Sequence, residues 1–316
     1  LPRFSDISTN NHGSLVGNVP PWPKIGQPWV MEANDPCEGD KRKIQEACES
    51  DEAVAEACKR AGLDVSPSQR ETDGYTHSQI EDHSAPAVEH KSKRYKAGYV
   101  RTNDQLQEMA EKAQKDDCLA ALACKLPKYK EGCPCPGQTG HHMVPASGFF
   151  NKGRGENPQP GEYPLKIHTP PADPPDDYKE PPGYDAKEAP CICAEGCSNT
   201  TGSHGMMHTE MKAFVMDKGR TKKLESSSGT HTTTSLTYEE MRDEAVRSVN
   251  VVFPLSECDP ACLAAQLDSY HVNDLGMDPK QDLRADKCGR SSKEVANAKK
   301  FAEAREAKLR ASAASS

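Results

Sequence analysis

Two short stretches carry four histidines whose type and spacing suit metal-dependent chemistry. His141 and His142 are adjacent in TGHHMVP, and His204 and His208 are four positions apart in GSHGMMHTEM. A neutral imidazole can bind a metal, and its ordinary pKa near neutrality also lets it accept a proton in catalysis. Both roles are therefore open to these side chains.

The spacing assigns the two roles to different histidines. His204 and His208 lie one turn apart on a predicted helix, and such a pair is a common metal-binding arrangement. Neighbouring side chains on a strand point to opposite faces, so His141 can supply a third ligand while His142 acts as a general base. Each motif alone is more often a solvated surface feature. Together, in surroundings rich in Gly, Pro and Cys, they favour metal-dependent hydrolysis of phosphodiesters or other substrates.

Local patterns predict the elements that position these residues. The alternating stretch PCICAEG is typical of a short strand. Ser203 is suited to cap the next helix and Gly219 to end it, which places His204 in a first turn whose N–H groups attract anions. Residues 151–190 are rich in proline and acids, and we expect a long loop between the two histidine motifs.

The rest of the chain predicts helices and loops. A helical pair is expected over 38–62, a helix begins near Asn103, and DDCLAALAC predicts a second short helix. LTYEEM contains the capping box of a further helix, formed by Thr237 and Glu240. Two terminal segments are expected to lie outside the core: an extended arm at 1–36 and a helical tail at 291–312.

The 13 cysteines have two structural uses open to them, disulfides or zinc. Their scattered spacing favours disulfides, and their odd number leaves at least one without a partner in the chain. CxC pairs flank the histidine motifs and offer a structural zinc site, although the usual zinc knuckle is CxxC. This set is Cys133, Cys135, Cys191 and Cys193. Local staples are expected from Cys37, Cys48 and Cys58 in the helical pair, and from Cys258, Cys262 and Cys288 near the C-terminus.

Composition and charge limit the classes of protein to which the chain can belong. Hydrophobic residues make up 34% of the 316 residues and aromatics 5%, which is lean for one continuous core. The net charge of −8 is concentrated in the first 90 residues, so the histidine-rich centre suits an anionic ligand better. KSKRYK and KLPKYKEG interleave cations with tyrosine and could contact phosphates. No apolar run is long enough to span a membrane, and the start at Leu1 suggests part of a longer or processed polypeptide.

GHHMVP followed by APCICAEG and GSHGMMHTEM resembles the GHH-signature toxins of the HNH/endonuclease VII superfamily, over roughly residues 98–272. The resemblance implies an α+β fold, mostly helical and loop-rich, around a ββα-metal core that clasps one divalent ion. It also implies three segments. These are an N-terminal arm and helical pair with a linker at 1–97, a nuclease domain at 98–290 and a helical tail at 291–316.

The resemblance further implies residue roles. His141, His204 and His208 would bind the metal, and His142 would activate water as the general base. Mg²⁺ is the expected catalytic ion, with Zn²⁺, Ni²⁺ or Mn²⁺ as alternatives. The family's base-orienting asparagine falls in the long insert, where the candidates are Asn157, which we prefer, Asn151 and Asn199.

The function that the resemblance implies is a low-specificity DNase toxin of interbacterial competition. It would be delivered from its producer, for example by type VI secretion, and would act in the target cell's cytoplasm. The implied partners are DNA, a cognate immunity protein and an upstream delivery module or secretion apparatus. Two alternatives remain open: a ribonuclease toxin on the same scaffold, and a non-enzymatic zinc-binding interaction module built on the cysteines.

Overall fold

A computed structural model describes most of the chain between residues 34 and 285. The described residues are 19–22, 24–27, 34–64, 103–153, 160–167, 182–196 and 202–285, with positions 307 and 311. Several features singled out from the sequence lie outside them: KSKRYK, Asn157, Asn199, Cys197, Cys288 and most of the arm and tail.

In the described part of the chain before the first histidine motif there are four α-helices, at the positions that the sequence predicts. Ser50 and Asp116 each cap one of them by accepting a hydrogen bond from a backbone amide three residues later. Their inward apolar side chains, including Ile44, Val54 and Leu119, form a small core. The helices are α1 (Glu38–Ala47), α2 (Asp51–Arg60), α3 (Asn103–Lys115) and α4 (Asp117–Leu122).

The two histidine motifs lie on a strand pair and on the helix that follows it. β1 (Gln138–His142) and β2 (Cys191–Glu195) are antiparallel, with His141 opposite Ile192, and α5 (Gly202–Lys218) packs against both strands. All five residues of β2 are buried, so this strand is the centre of the unit. The long insert leaves β1 and returns to β2 without disturbing their pairing.

A second, three-stranded antiparallel sheet follows α5, in the order β3-β4-β5. The sequence analysis missed it because β3 is rich in exposed Lys and β4 in Thr, so each strand offers few buried apolar positions. The turn residues Ser-Ser-Gly at 227–229 were the available hairpin signal. Its strands and the helices between them are β3 (Arg220–Ser226), β4 (Gly229–Thr237), α6 (Tyr238–Val252), α7 (Pro260–Asp268) and β5 (Asp282–Arg284).

The main core lies between the ββα unit, the second sheet and the last two helices. The predicted capping box at the start of α6 is present. The Thr237 hydroxyl accepts a hydrogen bond from the Glu240 amide, and the Glu240 carboxylate accepts one from the Thr237 amide. Large fully buried side chains fill this core: Phe149, Met143, Ile192, Met207, Leu236, Tyr238 and Leu263.

Among the described residues, five disulfides join positions far apart in sequence and link these layers. The pairs are Cys37–Cys262, Cys48–Cys118, Cys58–Cys135, Cys124–Cys258 and Cys133–Cys193. The expected local staples were therefore wrong, because Cys37, Cys48 and Cys58 each bond to a different distant element. Among the described cysteines only Cys191 is outside a disulfide, and it is buried.

These disulfide pairings also argue against a structural zinc site at the four cysteines around the histidine motifs. Cys133 and Cys193 bond to each other, and Cys135 bonds to Cys58 in α2, so their sulfurs are not available to a shared zinc. Three disulfides join α1 and α2, or the residues beside them, to parts of the chain beyond residue 97. The segment boundaries proposed at 97 and 290 remain predictions.

The predicted fold class is confirmed: an α+β chain, largely helical, with small sheets, several disulfides and a histidine cluster on a strand pair and helix. Over the described residues, no helix has the length and apolarity needed to cross a membrane.

Candidate metal centre and flanking histidine

The structure brings three of the four predicted histidines together. Ligand-capable ring nitrogens of His141, His204 and His208 all lie within 4.8 Å of one another. The ring centroid of His141 is 4.9 Å from that of His204 and 4.5 Å from that of His208, and both contacts are edge-on. Three imidazoles converging in this way can share one ion.

Side chains along β1 point alternately to its two faces, and the two faces have different surroundings. Thr139 and His141 point to one face of the strand, and Gly140 and His142 to the other. The face of Thr139 and His141 is turned to α5, because Thr139 contacts His204 and His141 contacts both helix histidines. His141 is 5% exposed, so the strand contributes the most buried of the three rings.

One hydrogen-bond chain fixes the ring orientation of His204. The Thr139 hydroxyl donates its only proton to the Gly196 carbonyl, so towards His204 it must act as an acceptor. His204 Nδ1, 2.9 Å from Thr139 Oγ1, therefore carries the proton. The lone pair of the neutral ring is then on Nε2, as a ligand to a metal needs.

The start of α5 is tied to the end of β2 by a second set of contacts. The Ser203 hydroxyl accepts a hydrogen bond from the Glu195 amide at 2.9 Å and donates one to the Glu195 carboxylate. Gly202 has φ +59°, and a Cβ there would lie 2.3 Å from the Glu195 carbonyl oxygen. The prediction that Ser203 caps α5 was wrong, because the helix begins at Gly202 and the Ser203 hydroxyl bonds to the strand instead. His204 still lies in the first turn.

His142 stands on the opposite face of β1, in a different setting. Its Nε2 is 2.8 Å from the carbonyl oxygen of Ala186, and its ring stacks on Tyr129 with centroids 4.7 Å apart. A carbonyl oxygen only accepts, so Nε2 donates and the neutral ring has its lone pair on Nδ1. This is the atom that can take a proton.

None of the asparagine candidates is seen to orient His142. Asn157 and Asn199 lie outside the described residues, and the Asn151 amide bonds to the carbonyl of Gly161 and the amide of Tyr163. Among the described contacts of His142, a hydrogen bond joins it to the main-chain oxygen of Ala186. A backbone carbonyl has no residue signature, so the sequence could not reveal it.

The basic run KLPKYKEG has a structural use in addition to its charge. Lys128 and Lys130 both pair with Glu188, and hydrogen bonds from these lysines lower the pKa of that carboxyl. Tyr129, between them, is the residue that stacks on His142. The run therefore joins the insert to the histidine site.

A fifth histidine, which the sequence analysis did not single out, lies near His142. His271 is fully buried on the π-helical turn Ser269–Asp274, with Nδ1 2.9 Å from the Leu267 carbonyl and Nε2 without a hydrogen-bond partner. Burial is the main cause that lowers its pKa to about 4, and the charge on nearby His142 adds to this. At neutral pH His271 is an uncharged aromatic group against Phe149 and Tyr238.

Comparison with known proteins agrees with this geometry. Residues 138–271 match the family described as "GHH signature containing HNH/Endo VII superfamily nuclease toxin 2". The matched segment begins at β1, contains the three clustered histidines and His142, and ends at His271.

One relative extends the similarity beyond the matched segment. The chain is 30% identical over 292 residues, 92% of its length, to the DNase toxin Tse7 of Pseudomonas aeruginosa. It spans 63% of the length of that relative. No solved structure matches the chain.

Proposed function

We propose that this chain is a metal-dependent nuclease toxin that cuts DNA. The observation that carries the proposal is the convergence of His141, His204 and His208, with His142 on the other face of the same strand. A divalent ion and a proton acceptor are the two parts that phosphodiester hydrolysis needs from a protein. The match of residues 138–271 to a nuclease toxin family supports it.

The donor set fits a divalent cation. His141, His204 and His208 would hold it, and when bound it supplies positive charge that stabilises the developing charge on a phosphate. Imidazole suits Zn²⁺ and Ni²⁺, whereas Mg²⁺ prefers oxygen ligands, and the cluster found among the described residues contains no carboxylate. Among the ions expected from the resemblance, which are Mg²⁺ with Zn²⁺, Ni²⁺ or Mn²⁺ as alternatives, this donor set favours Zn²⁺ or Ni²⁺, and each ion is to be tested separately.

His142 is the proposed general base. Its Nε2–H bond to Ala186 places the ring lone pair on Nδ1, where it can accept a proton from the attacking water. His142 belongs to the same strand as His141, so the proton acceptor and the metal ligand are held at a fixed separation. Orientation of His142 by an asparagine, with Asn157 preferred, remains a proposal that no described contact supports.

DNA is the proposed substrate because the similar Pseudomonas protein is named a DNase toxin. A ribonuclease on the same scaffold is the second candidate, and the geometry of the histidines serves both. A zinc-binding interaction module is disfavoured. Of the four cysteines that would bind zinc, Cys133, Cys135 and Cys193 are in disulfides and Cys191 is a buried thiol. Delivery into a target cell, action in its cytoplasm and a cognate immunity protein complete the proposal.

The proposal is tested by plasmid nicking with the purified chain. Wild type is incubated with supercoiled plasmid or total RNA, with EDTA, and after re-addition of Zn²⁺, Ni²⁺, Mn²⁺ or Mg²⁺. We expect EDTA to abolish nicking, one or more ions to restore it, and RNA to remain intact. His231→Ala, a histidine of β4 that hydrogen-bonds to Ser226 and Ser228, is the matched control for His142→Ala. Equal activity of the wild type and His142→Ala would refute the assigned base.

A further inference from the structure

We propose that Tyr129 is a positioning residue for His142: its ring holds the imidazole in the orientation in which Nδ1 can receive a proton. The inference rests on the proposed role of His142 as general base. It gives a side-chain contact a role beside the hydrogen bond from the ring to the Ala186 carbonyl. Three observations carry it.

The first observation is the geometry of the two contacts on His142. The Ala186 carbonyl fixes one ring atom, Nε2, at 2.8 Å. This hydrogen bond, taken by itself, leaves the ring plane able to rotate about it. The Tyr129 ring lies nearly parallel to the imidazole, at 21° with centroids 4.7 Å apart, and so limits that rotation. Together the two contacts define both the position and the plane of the imidazole.

The second observation is the glycine two residues before His142. Gly140 and His142 share one face of β1, and the Tyr129 ring covers that face. A Cβ at residue 140 would lie 3.1 Å from Tyr129 Cδ2, 3.4 Å from its Cε2 and 3.4 Å from the Cβ of Cys191. Glycine therefore leaves the room that the tyrosine ring occupies. The space taken by the tyrosine ring therefore explains why residue 140 is a glycine, without any appeal to backbone conformation.

The third observation is that Tyr129 and Ala186 are held by the same piece of chain. The Tyr129 amide donates to the Ala189 carbonyl at 3.0 Å, and the Lys130 amide donates to the Lys187 carbonyl at 2.9 Å. Glu188 adds ion pairs to the lysines on either side of Tyr129. The tyrosine ring and the carbonyl that contact His142 therefore form one unit, made by the 128–131 turn and the end of the insert.

Tyr129 is 43% exposed, so its removal leaves the two apolar cores intact and the variants should fold. Tyr163, which is 41% exposed and directly precedes Pro164, provides a control of similar exposure. The set of proteins is wild type, Tyr129→Phe, Tyr129→Leu and Tyr163→Leu. Each is assayed for kcat and KM on plasmid DNA and for metal affinity by calorimetry.

We expect Tyr129→Leu to lower kcat by about 10- to 100-fold, the loss typical of a misplaced catalytic group. KM and metal affinity should stay unchanged, because the three clustered histidines lie on the other face of β1. Tyr129→Phe keeps the ring and should stay within about twofold of wild type, as should Tyr163→Leu. A rise in KM at constant kcat would show that Tyr129 contacts DNA instead, and would overturn the positioning role.

A readout that does not depend on activity separates this inference from the proposed function. Proton–nitrogen correlation spectra of the imidazole rings report how fast the His142 Nε2–H exchanges with solvent. We expect slow exchange of the Nε2–H in wild type and Tyr129→Phe, and faster exchange in Tyr129→Leu, because the unstacked ring can turn away from the Ala186 carbonyl. Unchanged exchange in Tyr129→Leu would contradict the inference, whereas an active His142→Ala enzyme would contradict the proposed function.

Gly140 and Tyr129 should also be energetically coupled. Gly140→Ala alone should lower kcat because the new methyl group displaces the tyrosine ring. In the Tyr129→Leu background, the same change should cost much less, since the ring is already gone. Strictly additive effects of the two substitutions would show that the glycine serves another purpose.

Discussion

Thr139 Oγ1 lies 2.9 Å from Nδ1 of His204, and the same hydroxyl donates to the Gly196 carbonyl. The strand that carries His141 thus also sets the ring of a helix histidine. A hydroxyl has one proton, so the pair of contacts determines which nitrogen of His204 is protonated. The first prediction follows from this relationship.

Thr139→Val should weaken metal binding by about 10- to 100-fold, the range typical for loss of a group that orients a ligand. Valine keeps the β-branched shape of threonine, so the strand should persist, but it cannot accept from His204 Nδ1. Thr139→Ser keeps the hydroxyl and is the matched control. Calorimetric titration of the metal-free protein with Zn²⁺ or Ni²⁺ measures the effect, and equal affinities for Thr139→Val and wild type would contradict it.

Replacing His141 should reduce both metal affinity and nicking, whereas replacing His142 should reduce nicking alone. His141→Ala removes one of three ligands, so metal affinity and nicking should both fall. His142→Ala leaves the cluster intact and should bind metal as wild type does, while nicking falls by about 100-fold or more. Calorimetry and plasmid nicking on the same preparations check this. The division of roles would be wrong if His142→Ala lost metal affinity as well.

The Cys133–Cys193 disulfide should stabilise the strand pair that carries His141. The bond spans 60 residues and includes the whole insert, so in the chain-entropy view its loss costs about 4 kcal/mol at most. We expect the double variant Cys133→Ser, Cys193→Ser to lose about 2–4 kcal/mol in the free energy of unfolding.

Denaturant unfolding with the other four disulfides kept oxidised measures this loss. Cys191→Ala is the control, since Cys191 is a buried cysteine on the same strand and outside any disulfide. A double variant no less stable than Cys191→Ala would show that the bond adds little.

His271 should make the fold sensitive to acid. Burial lowers its pKa from the ordinary 6.5 to about 4, so the folded state resists a proton that the unfolded chain accepts. Its contribution to stability is complete above pH 6.5 and is lost as the pH falls from there to about 4. The difference in pKa corresponds to about 3 kcal/mol at most.

His271→Phe should remove this part of the pH dependence, because phenylalanine does not titrate. Both proteins lose stability in acid through their carboxyl groups, so the comparison is the slope of the unfolding free energy between pH 7 and pH 4. That slope should be smaller in the variant. Parallel curves for the two proteins would mean that His271 becomes protonated without resistance in the folded state.

Elements with strong local patterns were predictable from the sequence. The helical pair at 38–60, the helix from Asn103, the strand CICAE and the capping box of α6 all appear where expected. Each is determined by neighbours within a turn or two, such as a capping side chain or an apolar periodicity. The β3–β4 hairpin was missed because its residues are largely polar and exposed, which leaves no clear alternation to read.

Disulfide pairing and the contacts of single side chains were not predictable. Cys37 and Cys262 are 225 residues apart, and adjacent cysteines in the sequence bond to different elements. Ser203 has the residue type of a helix cap, yet its hydroxyl bonds to Glu195 of a neighbouring strand. Both outcomes depend on which elements pack together, which no local pattern encodes.

By itself, the sequence determined the types of side chain at the site and their division by local geometry. Alternation along β1 separates His141 from His142, and one helical turn joins His204 to His208, whatever the rest of the fold does. Only the tertiary structure decided that these pieces meet across the insert, because strand pairing and helix packing act between distant residues. It alone also supplied the Ala186 carbonyl and the Tyr129 ring that hold His142, since neither has a recognisable signature in sequence.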